Sequence, residues 1–178
     1  TVLNGMPASS IDMIRRGQAE LGATEFNHCV IFDKLMDSNP LFLTGNTDTV
    51  YCFAFLDLEK DGPTVVEVPA GCGPGTVDDA FFRFVIDMGA PGPDKGKGGK
   101  YLILPPDYDG EVPEGYFVAR STSYRNWGLV RANTDIVGTG DKAMKFYRDK
   151  LKVYPLKTGP RKGRYIDCGH MPGNSLVP

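Results

Sequence analysis

The sequence predicts a mainly β fold, an antiparallel β-sandwich or barrel-like domain with one or two flanking helices. Three observations carry that expectation. Between Thr49 and Arg131 six short runs of β-branched and aromatic residues follow one another, separated by turn residues and not by helical patterns, which argues against a βαβ sheet. The chain holds 22 glycines and 14 prolines in 178 residues, about a fifth against an average of roughly an eighth, so many turns join short elements. Hydrophobic residues still make up 41%, enough for one core, and the length is that of a single domain with extensions.

The elements follow in order. Ser9 or Ser10 can cap a helix in which Ile11, Ile14, Gln18 and Leu21 recur at helical spacing up to Gly22, so residues 1–24 read as an N-terminal helical extension. From Glu25 to Met36 the apolar positions Phe26, Val30, Ile31, Leu35 and Met36 fit a helix or a strand, and Pro40 ends the pattern. Thr49 to Leu58 is apolar or β-prone at nearly every position. Because successive side chains of a strand point to opposite faces, both of its faces must be covered. Asp61, Gly62 and Pro63 predict a turn into a second strand, Thr64 to Val68, and the two read as a hairpin. Further strands are expected over Phe81–Met88, Tyr101–Leu104, Tyr116–Ser121 and Asn126–Arg131, completing a β domain over residues 25–154. After Gly140, Asp141 caps a helix with Ala143, Phe146, Tyr147 and Leu151 on one stripe. From Pro155 the composition turns to Lys, Gly, Arg and Pro, so residues 155–178 read as a linker.

Composition narrows the partners. A net charge of −2, from 20 basic and 22 acidic residues mixed along the chain, offers no broad cationic surface, and nucleic acid is not an expected partner. No apolar run approaches the roughly 18 residues of a membrane span. Cys29, Cys52, Cys72 and Cys168 have no C-x-x-C spacing, and only His28 and His170 could join them, so a structural zinc site is not expected, and no motif in the sequence names a cofactor. These cysteines read as thiols, with a disulfide from Cys29 or Cys72 as the alternative in an oxidising compartment. The run Gly96 to Lys100 leads into a strand and not a helix N-terminus, so it reads as a loop, and Asp107, Asp109 and Glu111 lack the spacing of a calcium loop.

Two features point to a site for a small-molecule ligand. The segment Gly45 to Tyr51 places Asn46, Thr47, Asp48 and Thr49 directly before the most apolar strand. Those residue types can simply close a strand end on their own backbone, or Asn46 and Asp48 can project beside the Tyr51 ring as a base or anchor. The second feature is arginine within apolar strands: Arg83 between Phe82 and Phe84, Arg120 after Ala119, Arg131 after Val130. Such a guanidinium snorkels, pairs with a carboxylate, or lines a polar cavity. By alternation Trp127, Leu129 and Arg131 share a face, which sets an aromatic plane on the same side as a cation.

The string Gly45 to Asp57 (GNTDTVYCFAFLD) resembles the N-x-D-T-x-Y strand entry of the domain of unknown function family DUF1254. Further marks follow in the family's order: VVEVP ending at Pro69, RFVID from Arg83, GKYLILPP from Gly99, Pro113 to Gly115, and WGLVR from Trp127. The resemblance covers about Phe26 to Leu156. It departs from the family pattern at Gly45, where Pro often stands, and at Thr47, where a second Asn often stands. It implies a bacterial protein, commonly exported and so periplasmic or secreted, with the cytoplasm as the alternative. It also implies a second, β-rich companion domain, toward which residues 155–178 would lead. The family has no settled reaction, so the resemblance adds weight to Asn46, Asp48, Tyr51, Arg83, Trp127 and Arg131 without assigning roles.

Two readings of function stand. In the first the chain is a hydrolase-type enzyme acting on a small polar or anionic substrate in a cleft. Asp48 is then the acid/base or a metal-anchoring carboxylate, Tyr51 a proton donor or hydrogen-bonder, Arg83, Arg120 or Arg131 the stabiliser of negative charge, and Asn46 and Trp127 are substrate contacts. In the second the same residues tie strand ends together in a non-catalytic module that assembles with a companion domain or with other copies of itself.

Overall fold

A strand that is apolar on both faces needs a layer on each side, and the fold is arranged around that need. The computed structural model describes residues 2–32, 34–35, 48–160 and 164–167. Along the chain come α1 (Val2–Glu20), β1 (His28–Phe32), β2 (Thr49–Asp57), α2 (Leu58–Asp61), β3 (Thr64–Val68), β4 (Cys72–Asp79) and β5 (Phe84–Met88). There follow β6 (Gly99–Leu104), β7 (Phe117–Arg120), β8 (Arg125–Asn133), α3 (Thr134–Val137), α4 (Asp141–Lys150), β9 (Lys152–Pro155), a 3-10 turn (Leu156–Thr158) and β10 (Arg164–Asp167). The protein is mainly β, with one sheet of order β10-β1-β2-β8-β4-β5 and one of order β7-β6-β3-β9, not a closed barrel. Pairing is antiparallel except for one parallel pair in each sheet, β1 with β10 and β6 with β7.

Alternation along β2 assigns its two layers. Val50, Cys52, Ala54 and Leu56 join Val66, Tyr101, Ile103 and Val153 of the second sheet in the central core. Tyr51, Phe53 and Phe55 form an outer cluster with Trp127 and with Ile11 and Ile14 of α1. The terminal helix is thus a third layer, covering the outer face of the larger sheet. Helix α4 sits at the mouth of β2, where the buried Tyr147 hydroxyl donates to the Val50 carbonyl at 2.9 Å.

Several expectations are corrected. The segment 25–36 resolves as strand β1 over its described core, paired with β2. The hairpin of 49–58 with 64–68 does not form, since β2 pairs with β1 and β8 while β3 pairs with β6 and β9. The reason is local: Asp57 accepts from the backbone N–H of Glu59 and Lys60, winding Leu58–Asp61 into a helical turn that carries the chain to the other sheet. Strand β4 is missed because Cys72–Asp79 reads as turn residues. Pro74 is tolerated because the register with β8 shifts between Cys72 and Gly75, where its missing N–H leaves no ladder position empty. The N-terminal helix begins well before Ser9 and Ser10, and the Ser10 hydroxyl donates back to the Met6 carbonyl at 2.9 Å. Within the expected linker 155–178, Arg164–Asp167 is a strand of the larger sheet.

Candidate functional site

At the mouth of β2 the described residues begin with Asp48, and Asn46 lies outside them. Asp48 is exposed, and its carbonyl accepts from the N–H of Thr134 at 3.0 Å and from that residue's hydroxyl at 3.2 Å, tying the strand entry to α3. Tyr51 is buried, its ring 5.7 Å from Phe53. Register sets Arg131 directly opposite Tyr51, so these two predicted residues do share a face as neighbours. The Arg131 guanidinium donates from Nε to the Pro74 carbonyl at 2.9 Å, holding the bulge of β4 against β8.

The other arginines lie elsewhere. Arg83 falls in the turn before β5, not within a strand, and pairs through Nε with Asp79 at 2.6 Å. Asp79 is fully buried and also accepts from the N–H groups of Phe81 (2.8 Å) and Arg83 (2.9 Å) and from the Thr122 hydroxyl (2.5 Å). Burial raises the pKa of this carboxyl, but the hydrogen bonds outweigh it and hold the group below its ordinary value. Because Thr49 faces Asn133 while Leu56 faces Asn126, itself opposite Asp79, the Asp79–Arg83 clamp lies a strand length, about 25 Å, from Asp48. Arg120 ends β7 in the second sheet, its Nη1 donating to the carbonyls of Pro105 (3.0 Å) and Pro106 (3.2 Å). Among the described residues, the expected gathering of an acidic strand mouth and several guanidinium groups in one hollow does not occur.

Trp127 stacks on Phe53 at 5.6 Å and meets the edge of Phe82 at 5.4 Å. Four residues along the strand separate it from Arg131, about 13 Å, so the two do not flank one small ligand. Beside Trp127 across the ladder stands Asp78, a residue the sequence reading passed over. Burial pushes its carboxyl up to about 6, against a hydrogen bond from Thr76 and with help from the charges of Asp79 and Asp87. The consecutive acids Asp78 and Asp79 followed by Arg83 are the signal in the sequence, set in a stretch of Gly, Pro and Asp with low strand propensity.

A second place was not visible in the sequence. Between α1 and the outer face of the sheet lies a cleft of about 450 Å³, walled by Ile11 and Arg15 of the helix and by Phe26, Phe55, Phe81 and Arg125. Arg125 pairs with Asp57, the cap of α2, and its guanidinium lies 4.6 Å from the centre of the Phe26 ring. On the core side, Cys29, Cys52 and Cys72 are buried free thiols. Burial pushes Cys72 up to about 12, opposed by Lys150 and aided by Asp94, and burial with a hydrogen bond to Cys29 raises Cys52 as well. Burial disfavours the reactive thiolate at Cys52 and Cys72.

Comparison with known proteins places these features in context. A family model described as a protein of unknown function (DUF1254) matches residues 26–155. No curated protein matches the chain. Among solved structures, the VPA0106 protein from Vibrio parahaemolyticus is similar at 19% identity and a TM-score of 0.63, over 90% of this chain and 39% of that one. An uncharacterised protein from Burkholderia cenocepacia aligns at 13% identity and a TM-score of 0.38, over 85% of this chain and 41% of that one. The chain therefore spans about two fifths of the length of the solved proteins it matches. Among the described residues no helix is long and apolar enough to cross a membrane.

Proposed function

This chain belongs to the DUF1254 family, and from that premise we propose that it is a non-catalytic binding or structural module that assembles with a companion β domain. The observation that carries the reading is the placement of the guanidinium groups. Arg83 is held by Asp79, Arg120 by two proline carbonyls and Arg131 by Pro74, each within its own piece of local structure. A site that stabilises developing negative charge needs such donors converging on one position, and these three serve a turn, a strand end and a bulge.

Support for a companion comes from the surface and from size. Among the described residues, strands β5 and β7 are edges of the two sheets, and at them Phe84 is 67% exposed and Val118 is 42% exposed. Open strand edges carrying apolar side chains are surfaces that a second β domain can extend or cover. The similar VPA0106 protein is more than twice as long as the part this chain matches, which leaves room for a further domain there.

The hydrolytic reading, with a small polar or anionic substrate in a cleft, has one observation on its side. The Asp78 carboxyl, raised to about 6 next to Asp87, lies in the range a general acid uses. One experiment separates the readings. Hydrogen exchange is measured on the chain alone and on the chain joined to a companion β domain of the family. Protection of the β5 and β7 amides by the companion, lost in Phe84→Asp, is the expected result, together with no turnover of an ester, phosphate and glycoside panel. Unchanged exchange along both edges, or turnover abolished by Asp78→Asn, overturns the proposal.

A further inference from the structure

We propose that assembly at the β5 edge takes up a proton on Asp78, so that the companion β domain is held at mildly acidic pH and released as pH rises. The inference rests on the assembly reading and adds a proton as the regulator of that same surface.

Register places the carboxyl at the surface concerned. Asp78 of β4 stands directly opposite Phe84 of the edge strand β5, and Thr76 stands opposite Asp87, so these side chains share one face. Phe84 is 67% exposed, and a domain that covers its ring also takes water from the neighbouring Asp78.

Ionised, Asp78 has little to offset that loss. Among the described residues the hydrogen-bond partner of its carboxyl is the Thr76 hydroxyl, which donates at 3.3 Å. The charges around it are of the same sign or already engaged. Asp87 of β5 and Asp79 of its own strand are acids, and Arg83, in the turn before β5, is held by Asp79. From β8 the residue in register is the uncharged Trp127, and Arg125, two residues along, is engaged by Asp57 and Glu59. Among the described residues no cation pairs with Asp78 or Asp87.

A carboxyl in such a place adapts by taking a proton. Burial, with the two neighbouring acids, already raises it to about 6 in the chain alone. Covering it raises it further, since the water removed is replaced by apolar surface. Linkage then fixes the sign. A group whose pKa is higher in the assembly than in the free chain binds a proton on assembly, so affinity is full below the free-chain value and is lost as pH rises above it.

The test measures the Kd of a companion β domain of the family for this chain by calorimetry from pH 5 to pH 8. Hydrogen exchange of the β5 amides reports the surface used. For the parent, binding about tenfold weaker at pH 7 than at pH 5 is expected. Asp78→Asn, neutral throughout, is expected to bind at pH 7 as the parent does at pH 5. Asp87→Asn, which removes one neighbouring acid, moves the onset of weakening to lower pH and keeps the test open should the first variant not fold. Absence of binding at every pH overturns the assembly reading and this inference with it. A Kd that is constant from pH 5 to pH 8, or that tightens as pH rises, overturns the role of the proton and leaves assembly standing. A pH dependence like the parent's in folded Asp78→Asn also overturns it, because another group then titrates.

Discussion

Asp79 shows how one side chain closes a structural unit. Its buried carboxylate gathers two backbone N–H groups, a hydroxyl and a guanidinium, fixing the turn between β4 and β5. Asp79→Ala is expected to lower stability by about 3 kcal/mol in denaturant unfolding, because it leaves several donors unmatched. Its folded pKa lies below the unfolded one, so the stability it supplies is present above the unfolded value and is lost as pH falls through the folded value. Asp78 carries the opposite sign. With its carboxyl raised to about 6, the folded state binds the proton more tightly, so its contribution falls as pH rises from about 4 to about 6. Asp78→Asn should therefore melt higher than the parent at pH 7 and equally at pH 4, which a pair of melting curves checks. Among the predicted site residues, the arginines were readable as cations beside apolar runs, free to snorkel, to pair or to line a cavity. Which partners they take was not, since Asp79 stands four residues away across a turn and Pro74 is 57 residues distant along the chain.

Among the elements, β2 and β8 were legible because runs of β-branched and aromatic residues stand between turn residues, and their nine-residue pairing runs from Thr49–Asn133 to Asp57–Arg125. Strand β4 was illegible for the opposite reason: Gly, Pro and Asp carry no strand propensity, and its neighbours impose its conformation. The turn after β5 depends on that neighbourhood. Gly89 has φ +83°, and a Cβ there would come within 2.5 Å of the Cys72 carbonyl oxygen. Gly89→Ala is expected to cost at least about 2 kcal/mol, read as a lower denaturation midpoint with little change in slope. Thiol chemistry gives a further check on the inner face of these strands. Cys29, Cys52 and Cys72 should react with a disulfide reagent only after global unfolding, and labelling of any of them in the native protein contradicts their burial.

For the whole molecule, the central question is what covers the outer aromatic face. Helix α1 covers it with Ile11 and Ile14, both buried. Ile14→Ala should lower stability by about 3 kcal/mol and increase dye binding at the exposed cluster, as calorimetry and fluorescence would show. Among the described residues Phe84 of β5 and Val118 of β7 stay exposed, and it is there that assembly is proposed.

By itself the sequence determined that the protein is mainly β, that its most apolar strand is covered on both faces, and that it carries arginines beside apolar runs. Those conclusions rest on periodicity and residue chemistry, which act over a few residues. Only the tertiary structure decided that β2 and β3 belong to different sheets, that a Gly-Pro stretch is an inner strand, and that Asp48 and Arg83 stand at opposite ends of one sheet. Alternation assigns a side chain to a face, whereas the register between strands distant in sequence sets its place along that face, and register is fixed by the packing of the complete core.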